Sequence, residues 1–150
     1  MKTYEIRHNT ASFDQIVNYL RDADDHFIPS LSDQVDIEVY AKKISDHAET
    51  IEAWQENTLI GLLAVYLNNA KYSSAYITSV SILKSFHGAG IAKKLMHDCI
   101  DLARRLNFDE VSLEVGRENG RAINFYLKIG FTERHRSDQS IFMSHNLVQS

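Results

Sequence analysis

The residues that most directly suggest chemistry are His87-Gly88-Ala89-Gly90-Ile91-Ala92. They follow a run rich in β-branched and aromatic residues, Tyr76 to Leu83, and open an amphipathic stretch. The spacing therefore predicts a strand, a glycine loop and a helix in succession. Glycines let backbone N–H groups converge on an anion without a Cβ in the way. The free N–H groups of a helix N-terminus complete such a nest, and the helix dipole adds about 0.3–1 kcal/mol for a nearby negative charge. From the loop alone, an anion cradle and a tight turn that binds nothing fit equally well. Two phosphate loops are excluded. No Gly-Lys-Ser/Thr is present, which removes the nucleoside triphosphate loop with its lysine and magnesium ligand. The dinucleotide pattern G-x-G-x-x-G fails because Lys93 stands three residues after Gly90. A cradle here would take a pyrophosphate that needs no metal.

Composition narrows the setting. A chain of 150 residues, 44% hydrophobic and 24% charged, is long enough for one domain with a single core, expected to span 1–150. The net charge of −4 gives no overall basic field, so neither nucleic acid nor an anionic membrane is an expected partner. Charge is uneven: 13–46 is acid-rich, while Lys84, His87, Lys93, Lys94, Arg117, Arg121 and Lys128 lie in the second half. Those cations are interleaved with Asp98, Asp101, Glu114 and Glu118, without an arginine–aromatic platform for single strands. The one cysteine, Cys99, excludes an intramolecular disulfide and a four-cysteine zinc site. Seven scattered histidines form no His-x-x-x-His pair with carboxylates, so no metal is expected. The N-terminus lacks a signal-peptide core and no apolar run approaches a membrane span, so the expected location is cytoplasmic.

Hydropathy periods supply the elements that must hold the loop. Tyr4, Ile6 and His8 alternate as a short opening strand. Ser12 caps a helix carrying Phe13, Ile16, Val17 and Leu20, and Ser32, after Pro29, is expected to cap a second with Val35, Val39, Tyr40 and Ile44. Runs Thr50–Gln55 and Thr58–Asn68 form a hairpin around Glu56-Asn57, and Tyr76–Leu83 is the next strand. From Gly88 to Asn107 one face reads Ile91, Ala92, Leu95, Met96, Cys99, Ile100, Ala103 and Leu106, an amphipathic helix. Val111–Val115 is a strand, and Asn119–Ile129 a helix closed by Gly130 at its C-cap. Phe131–His135 and Ile141–Asn146 close the chain as strands. This order favours one mixed sheet covered by helices.

A second motif follows the loop. The chain reads Leu113-Glu114-Val115, then Asn119-x-x-Ala122-x-x-x-Tyr126-x-x-x-Gly130-Phe131. Asn119, Ala122 and Tyr126 are spaced i, i+3 and i+7, which sets them on one helical face, while Ala122, Phe125 and Ile129 form the neighbouring core-facing stripe. This stretch resembles the second cofactor motif of the GNAT acyltransferase superfamily, matched at every named position. The loop, preceded by Ile82 five positions earlier, resembles that superfamily's Arg/Gln-x-x-Gly-x-Gly/Ala motif, with His87 in place of the usual Arg or Gln and Lys84 where proline is common. Together the two motifs cover roughly 76–131 in the family's order and separation.

The resemblance implies an α/β fold of GNAT type. It would have six or seven strands, mostly antiparallel, with a splayed parallel pair in the centre and about four flanking helices. It implies acetyl-CoA or CoA as cofactor, without metal, and an acetyl-CoA:amine N-acetyltransferase as the activity. Backbone N–H groups of Val80, Ser81 and Ile82 would bind the thioester carbonyl and the pantetheine, and His87, Gly88, Ala89, Gly90, Ile91 and Ala92 the pyrophosphate. Asn119 would contact the pantetheine arm, though it is also a good helix N-cap. Tyr126, otherwise an ordinary core aromatic, would protonate the departing thiolate. The strand ahead of the loop has no carboxylate, which excludes the family's commonest base. Glu114, twelve residues before Tyr126, stands as does the glutamate assigned as base in ribosomal-protein alanine acetyltransferases. Alternation sets it opposite Leu113 and Val115, facing either the cleft or solvent. Asp36 and Glu38 are secondary candidates.

The family builds its acceptor site between the first strand and the hairpin, here 25–40. Phe27, Leu31 and Tyr40 are the candidate contacts, beside several carboxylates that suit a cationic or polyhydroxylated amine. Phe-Ile-Pro-Ser-Leu-Ser with Val-Asp-Ile and a following Tyr resembles acetyltransferases of surface-polysaccharide biosynthesis and suggests an amino-sugar acceptor. The reading is N-acetylation of a small-molecule primary amine by a monomer or homodimer. A protein N-terminal or side-chain amine acetyltransferase, and a non-catalytic acetyl-CoA sensor, are the alternatives.

Overall fold

The computed structural model describes residues 3–67 and 73–148. Its elements are β1 (Glu5–His8), α1 (Phe13–Asp22), α2 (Leu31–Gln34), α3 (Ile37–His47), β2 (Glu49–Gln55), β3 (Thr58–Tyr66), β4 (Ser74–Ile82), α4 (Ile91–Arg105), β5 (Glu110–Gly116), α5 (Gly120–Ile129), β6 (Thr132–Arg136) and β7 (Ser140–Asn146). The strands form one sheet in the order β1-β2-β3-β4-β5-β7-β6. Among the described residues only β4 and β5 run parallel, and every other pairing is antiparallel. The mixed sheet and central parallel pair are those expected.

Several boundaries differ from the sequence expectation for local reasons. Ser32 does not cap the second helix. Val35 is extended, Asp36 takes the cap by accepting from the Val39 N–H at 3.1 Å, and one turn at 31–34 stands apart as α2. The extra turn makes five α-helices among the described residues. The long helix begins at Ile91 rather than Gly88, because Gly88 and Gly90 both have positive φ, and it ends at Arg105 rather than Asn107, which is left-handed. β4 starts at Ser74 and stops at Ile82, since Lys84–Phe86 turns into a 3-10 helix. β6 begins at Thr132, one residue after Phe131, which is buried in the core. Asn68, the expected end of the third strand, lies outside the described residues.

Both sheet faces are covered. Ile16, Val17, Tyr19 and Leu20 of α1 and Ala41 and Ile44 of α3 bury against Trp54, Leu59, Leu62 and Ala64 on one face. On the other, α4 buries Ile91, Leu95, Met96, Cys99, Ile100 and Ala103 against Ile51, Ile60, Leu63 and Ile77. Burying each large aliphatic chain contributes roughly 1.5–3 kcal/mol, so α4 is anchored along its whole length. β3 sits between the two layers and is buried on both sides from Leu59 to Val65. At Gly61 an added Cβ would lie 2.7 Å from Ile82 Cδ1, so glycine lets the end of β4 pack close to β3.

The feature that positions the site is where β4 and β5 part. Their pairing ends at Ile77↔Leu113. Beyond it β4 stays paired to β3 as far as Ile82↔Gly61, and β5 to β7 as far as Gly116↔Ser140. Thr78 is the unpaired residue of a bulge, between Ile77↔Val65 and Ser79↔Ala64. A bulge bends and twists its strand locally, and β4 leaves β5 at this point. Residues 78–82 and 114–116 thus present facing open edges to a gap in the middle of the sheet.

Candidate active site

That gap opens into a cleft of about 890 Å³. Along β4, the Leu83 N–H bonds to Ile60 O at 2.9 Å, toward β3. Backbone direction alternates along a strand, so Ile82 and Val80 turn their N–H and C=O groups to the gap while Ser81 turns its own to Leu62. Of the three residues expected to offer backbone donors, the strand geometry therefore assigns Val80 and Ile82. Ser81 is held from the other face, where Tyr19 Oη donates to its carbonyl at 2.8 Å. Burial pushes the Tyr19 phenol well above its ordinary range, so it keeps the proton that makes this bond.

At the end of β4 the chain passes through the 3-10 turn into the glycine loop. Gly88 has φ +85° and Gly90 φ +77°. A Cβ at either would meet no protein atom within 4 Å, so left-handed backbone, not crowding by the protein, is what demands glycine here. Gly90 is the N-cap of α4 and no side chain caps that helix. Its first-turn N–H groups therefore point into the loop with the positive end of the helix dipole behind them. His87, Gly88, Gly90, Ile91, Ala92 and Lys93 line the cleft here; Ala89 does not. The His87 imidazole folds back, its Nε2 donating to Ile82 O at 2.8 Å.

The opposite wall comes from β5 and α5. Asn119 caps α5, its Oδ1 accepting from the Ala122 N–H at 3.2 Å. That leaves the Asn119 amide N–H₂ for a second contact. Tyr126 is the most buried residue of α5 and lines the cleft with Ala122 and Phe125, its ring tilted against Phe125 and Phe131. Burial pushes its pKa up to about 12, so the phenol carries its proton throughout the neutral range. Glu114 is exposed, opposite buried Leu113 and Val115 in the alternation of β5, and lines the cleft as they do. Its charge, after burial, is a further cause that raises the Tyr76 pKa, so the two side chains share one electrostatic neighbourhood.

The third wall is the segment between α1 and α3. Phe27, Leu31 and Tyr40 all line the cleft. Tyr40 contributes its ring, because its hydroxyl donates to Thr78 O at 2.7 Å and lies 2.8 Å from Thr78 Oγ1. Asp36 and Glu38 are not brought in. Asp36 is spent on the α3 cap and Glu38 pairs with Arg21 at 2.8 Å on the surface. Sequence reasoning missed Tyr76, Thr78, His26 and Arg121, all of which line the cleft. Tyr76 was accessible to strand alternation, being out of phase with core residues Ala75 and Ile77; the others depend on tertiary contacts. Among the described residues no cluster of His, Cys, Asp and Glu is arranged to hold a metal, and no helix is long and apolar enough to cross a membrane.

Comparison with known proteins gives these walls a context. The acetyltransferase (GNAT) family matches residues 13–131. N-alpha-acetyltransferase 30 of Saccharomyces cerevisiae is 39% identical over 61 residues, 41% of this chain and 35% of that protein. Spermidine N(1)-acetyltransferase of Vibrio cholerae is 32% identical over 111 residues, 71% of this chain and 63% of that protein. The chain thus spans between about a third and just under two thirds of the length of these relatives. In fold, the crystal structure of PaiA N-acetyltransferase from Thermoplasma acidophilum in complex with coenzyme A superposes with a TM-score of 0.79, covering 96% of this chain and 99% of that one at 18% identity.

Proposed function

We propose that this chain, which belongs to the acetyltransferase (GNAT) family, transfers the acetyl group of acetyl-CoA directly to a primary amine of a small molecule. The observation that carries this reading is the gap between β4 and β5, with an uncapped helix N-terminus at one end and a buried phenol and a carboxylate on its walls. The residues present fit the cofactor. The left-handed glycines and the α4 N-terminus suit its pyrophosphate, and the open edge at Val80 and Ile82 suits an extended pantetheine. Bound there, acetyl-CoA supplies an activated thioester carbonyl.

The chain's own residues do the rest. Backbone N–H groups of the open β4 edge stabilise negative charge as it develops on the carbonyl oxygen. Glu114 takes a proton from the acceptor amine, which must be neutral to attack. Tyr126 holds the proton at its phenol oxygen that the departing sulfur needs, and its high pKa keeps that proton in place. The Asn119 amide, already fixed by capping α5, contacts the pantetheine arm. Phe27, Leu31, Tyr40 and Tyr76 surround the acceptor, with Asp25 and Glu114 supplying negative charge that suits a cationic amine such as an amino sugar or polyamine.

A second reading has its own support. The similarity to an N-alpha-acetyltransferase, together with a cleft-facing Glu114, favours a peptide N-terminus as acceptor. Turnover of acetyl-CoA against amino sugars, polyamines and short peptides separates the two readings. The expected result is turnover with at least one small amine, reduced on the order of 10²–10⁴-fold in Tyr126→Phe. Turnover with peptides alone would replace the acceptor reading. Tight CoA binding with no turnover on any acceptor would mark a sensor module instead.

A further inference from the structure

A segment of the acceptor wall crosses the mouth of the cleft. Residues 24–30 touch both lips of the gap. On one, just past the end of β4, the Lys84 N–H donates to His26 Nε2 at 3.2 Å. On the other, Ile28 O lies so near the end of β5 that a Cβ on Gly116 would sit 3.0 Å from it. The strap is thus tied to the first lip by an imidazole and fitted to the second by a glycine.

The state of His26 follows from its partner. Because Nε2 receives an N–H, it carries no proton itself, and the neutral ring holds its proton on Nδ1. That atom faces Asp25 Oδ1 at 3.4 Å, and the side chain is about nine-tenths buried. Burial lowers the His26 pKa; Asp25 opposes this, and His87 and Lys84 reinforce it. The neutral, accepting form is the one this surrounding favours. The ring lies 5.8 Å from that of His87, which grips Ile82 O from the other side. Between these contacts the Leu83 N–H is bonded to Ile60 O. Three successive residues at the exit of β4 are therefore held by three separate elements, immediately before the turn that leads to Gly88 and Gly90.

We propose that His26 is a positioning residue for the anion loop: by accepting the Lys84 N–H it fixes where the chain leaves β4 and couples the acceptor wall to the cofactor cradle. This rests on the acetyl-CoA reading above. The role needs a hydrogen-bond acceptor at the Nε2 position, not a positive charge near the phosphates, and the two are separable. Glutamine retains an acceptor oxygen of similar reach, lysine offers only donors and a charge, and alanine offers neither.

CoA is the probe, titrated by calorimetry against the wild-type chain and His26→Gln, His26→Lys and His26→Ala, with exchange of the Lys84 amide followed by NMR on the same proteins. His26→Ala and His26→Lys should each weaken CoA binding about three- to tenfold, the worth of one net hydrogen bond, and speed Lys84 exchange. His26→Gln should restore both. Lysine binding CoA as tightly as wild type would show that charge matters instead and overturn the proposal. Wild-type affinity and unchanged Lys84 exchange in His26→Ala would overturn it as well. If His26→Ala unfolds, the comparison of glutamine with lysine decides alone. Wild-type protein that takes up no CoA would remove the cofactor reading and this proposal with it. Uptake of CoA by all four proteins alike would remove only this proposal.

Discussion

At the scale of single residues, the cleft sets a buried phenol apart from an exposed carboxylate. Tyr126 is buried, with its pKa pushed up to about 12, whereas Glu114 is exposed on the cleft face. A phenol whose pKa is raised stays protonated on the alkaline side, so the acid role proposed for Tyr126 would persist as pH rises. The acceptor amine gains its neutral form over the same range. The expected profile of kcat/KM therefore climbs from about pH 6 toward the amine's own pKa and shows no fall before about pH 10. A decline centred well below that would argue against Tyr126 as the acid. Glu114→Gln should lower the rate on the order of 10²-fold or more, as loss of a positioned base does. His87 gives a contrasting prediction. Its imidazole is engaged by Ile82 O, so His87→Ala should weaken CoA binding only a fewfold, about one net hydrogen bond. Gly90→Val should do far more, because a β-branched residue at φ +77° costs about 1–3 kcal/mol of strain in the loop itself. Equal losses in calorimetric titrations of the two variants would contradict this account of the cradle.

At the scale of elements, what was legible in the sequence was what depends on local spacing. The Ser12 cap, the hairpin around Glu56-Asn57, the amphipathic face of α4 as far as Ala103 and the Gly130 stop stand where periodicity and capping set them, while Leu106, expected on that face, caps the helix in solvent. The misjudged helix start at Ser32 has a local cause too. Ser32 and Asp36 are both competent caps, and Val35 in extended conformation decides between them through its tertiary packing. The glycine loop was legible because a single strand, loop and helix carry it. The acceptor side was legible only in part: Phe27, Leu31 and Tyr40 line the cleft as expected, but Thr78 and His26 enter it only when β4 bulges at Thr78 and the strap folds over its end. A bulge leaves no mark in a sequence whose alternation merely shifts by one residue. Glu114 stood on the border: alternation set it opposite Leu113 and Val115, and the parting of β4 from β5 brought it to the cleft.

At the scale of the whole molecule, opening a sheet in its centre removes hydrogen bonds that a continuous sheet would make, so the remaining strands must be secured elsewhere. One such anchor is Glu52, fully buried in β2. Its carboxylate receives five donors: the Thr10 and Ala11 backbone N–H groups, the Thr10 and Thr50 hydroxyls, and the Trp54 indole. They tie the turn between β1 and α1 to the sheet, on the side of β3 away from the gap. Burial alone would raise the Glu52 pKa, but these donors outweigh it and the net shift is downward. A carboxylate with a depressed pKa contributes stability above its unfolded value, near 4.5, and loses it as pH falls through the lower folded value. Glu52→Gln turns one accepting oxygen into an N–H₂ that faces donors, and should cost on the order of 2–4 kcal/mol at pH 7. Urea unfolding followed by tryptophan fluorescence measures this at Trp54, a partner of the network. The variant should also lose part of the wild-type acid sensitivity below about pH 4.5. CoA affinity of the folded variant should remain close to wild type, since Glu52 does not line the cleft. A stability loss that is the same at pH 3.5 as at pH 7 would show that the carboxylate charge is not what holds this end of the sheet.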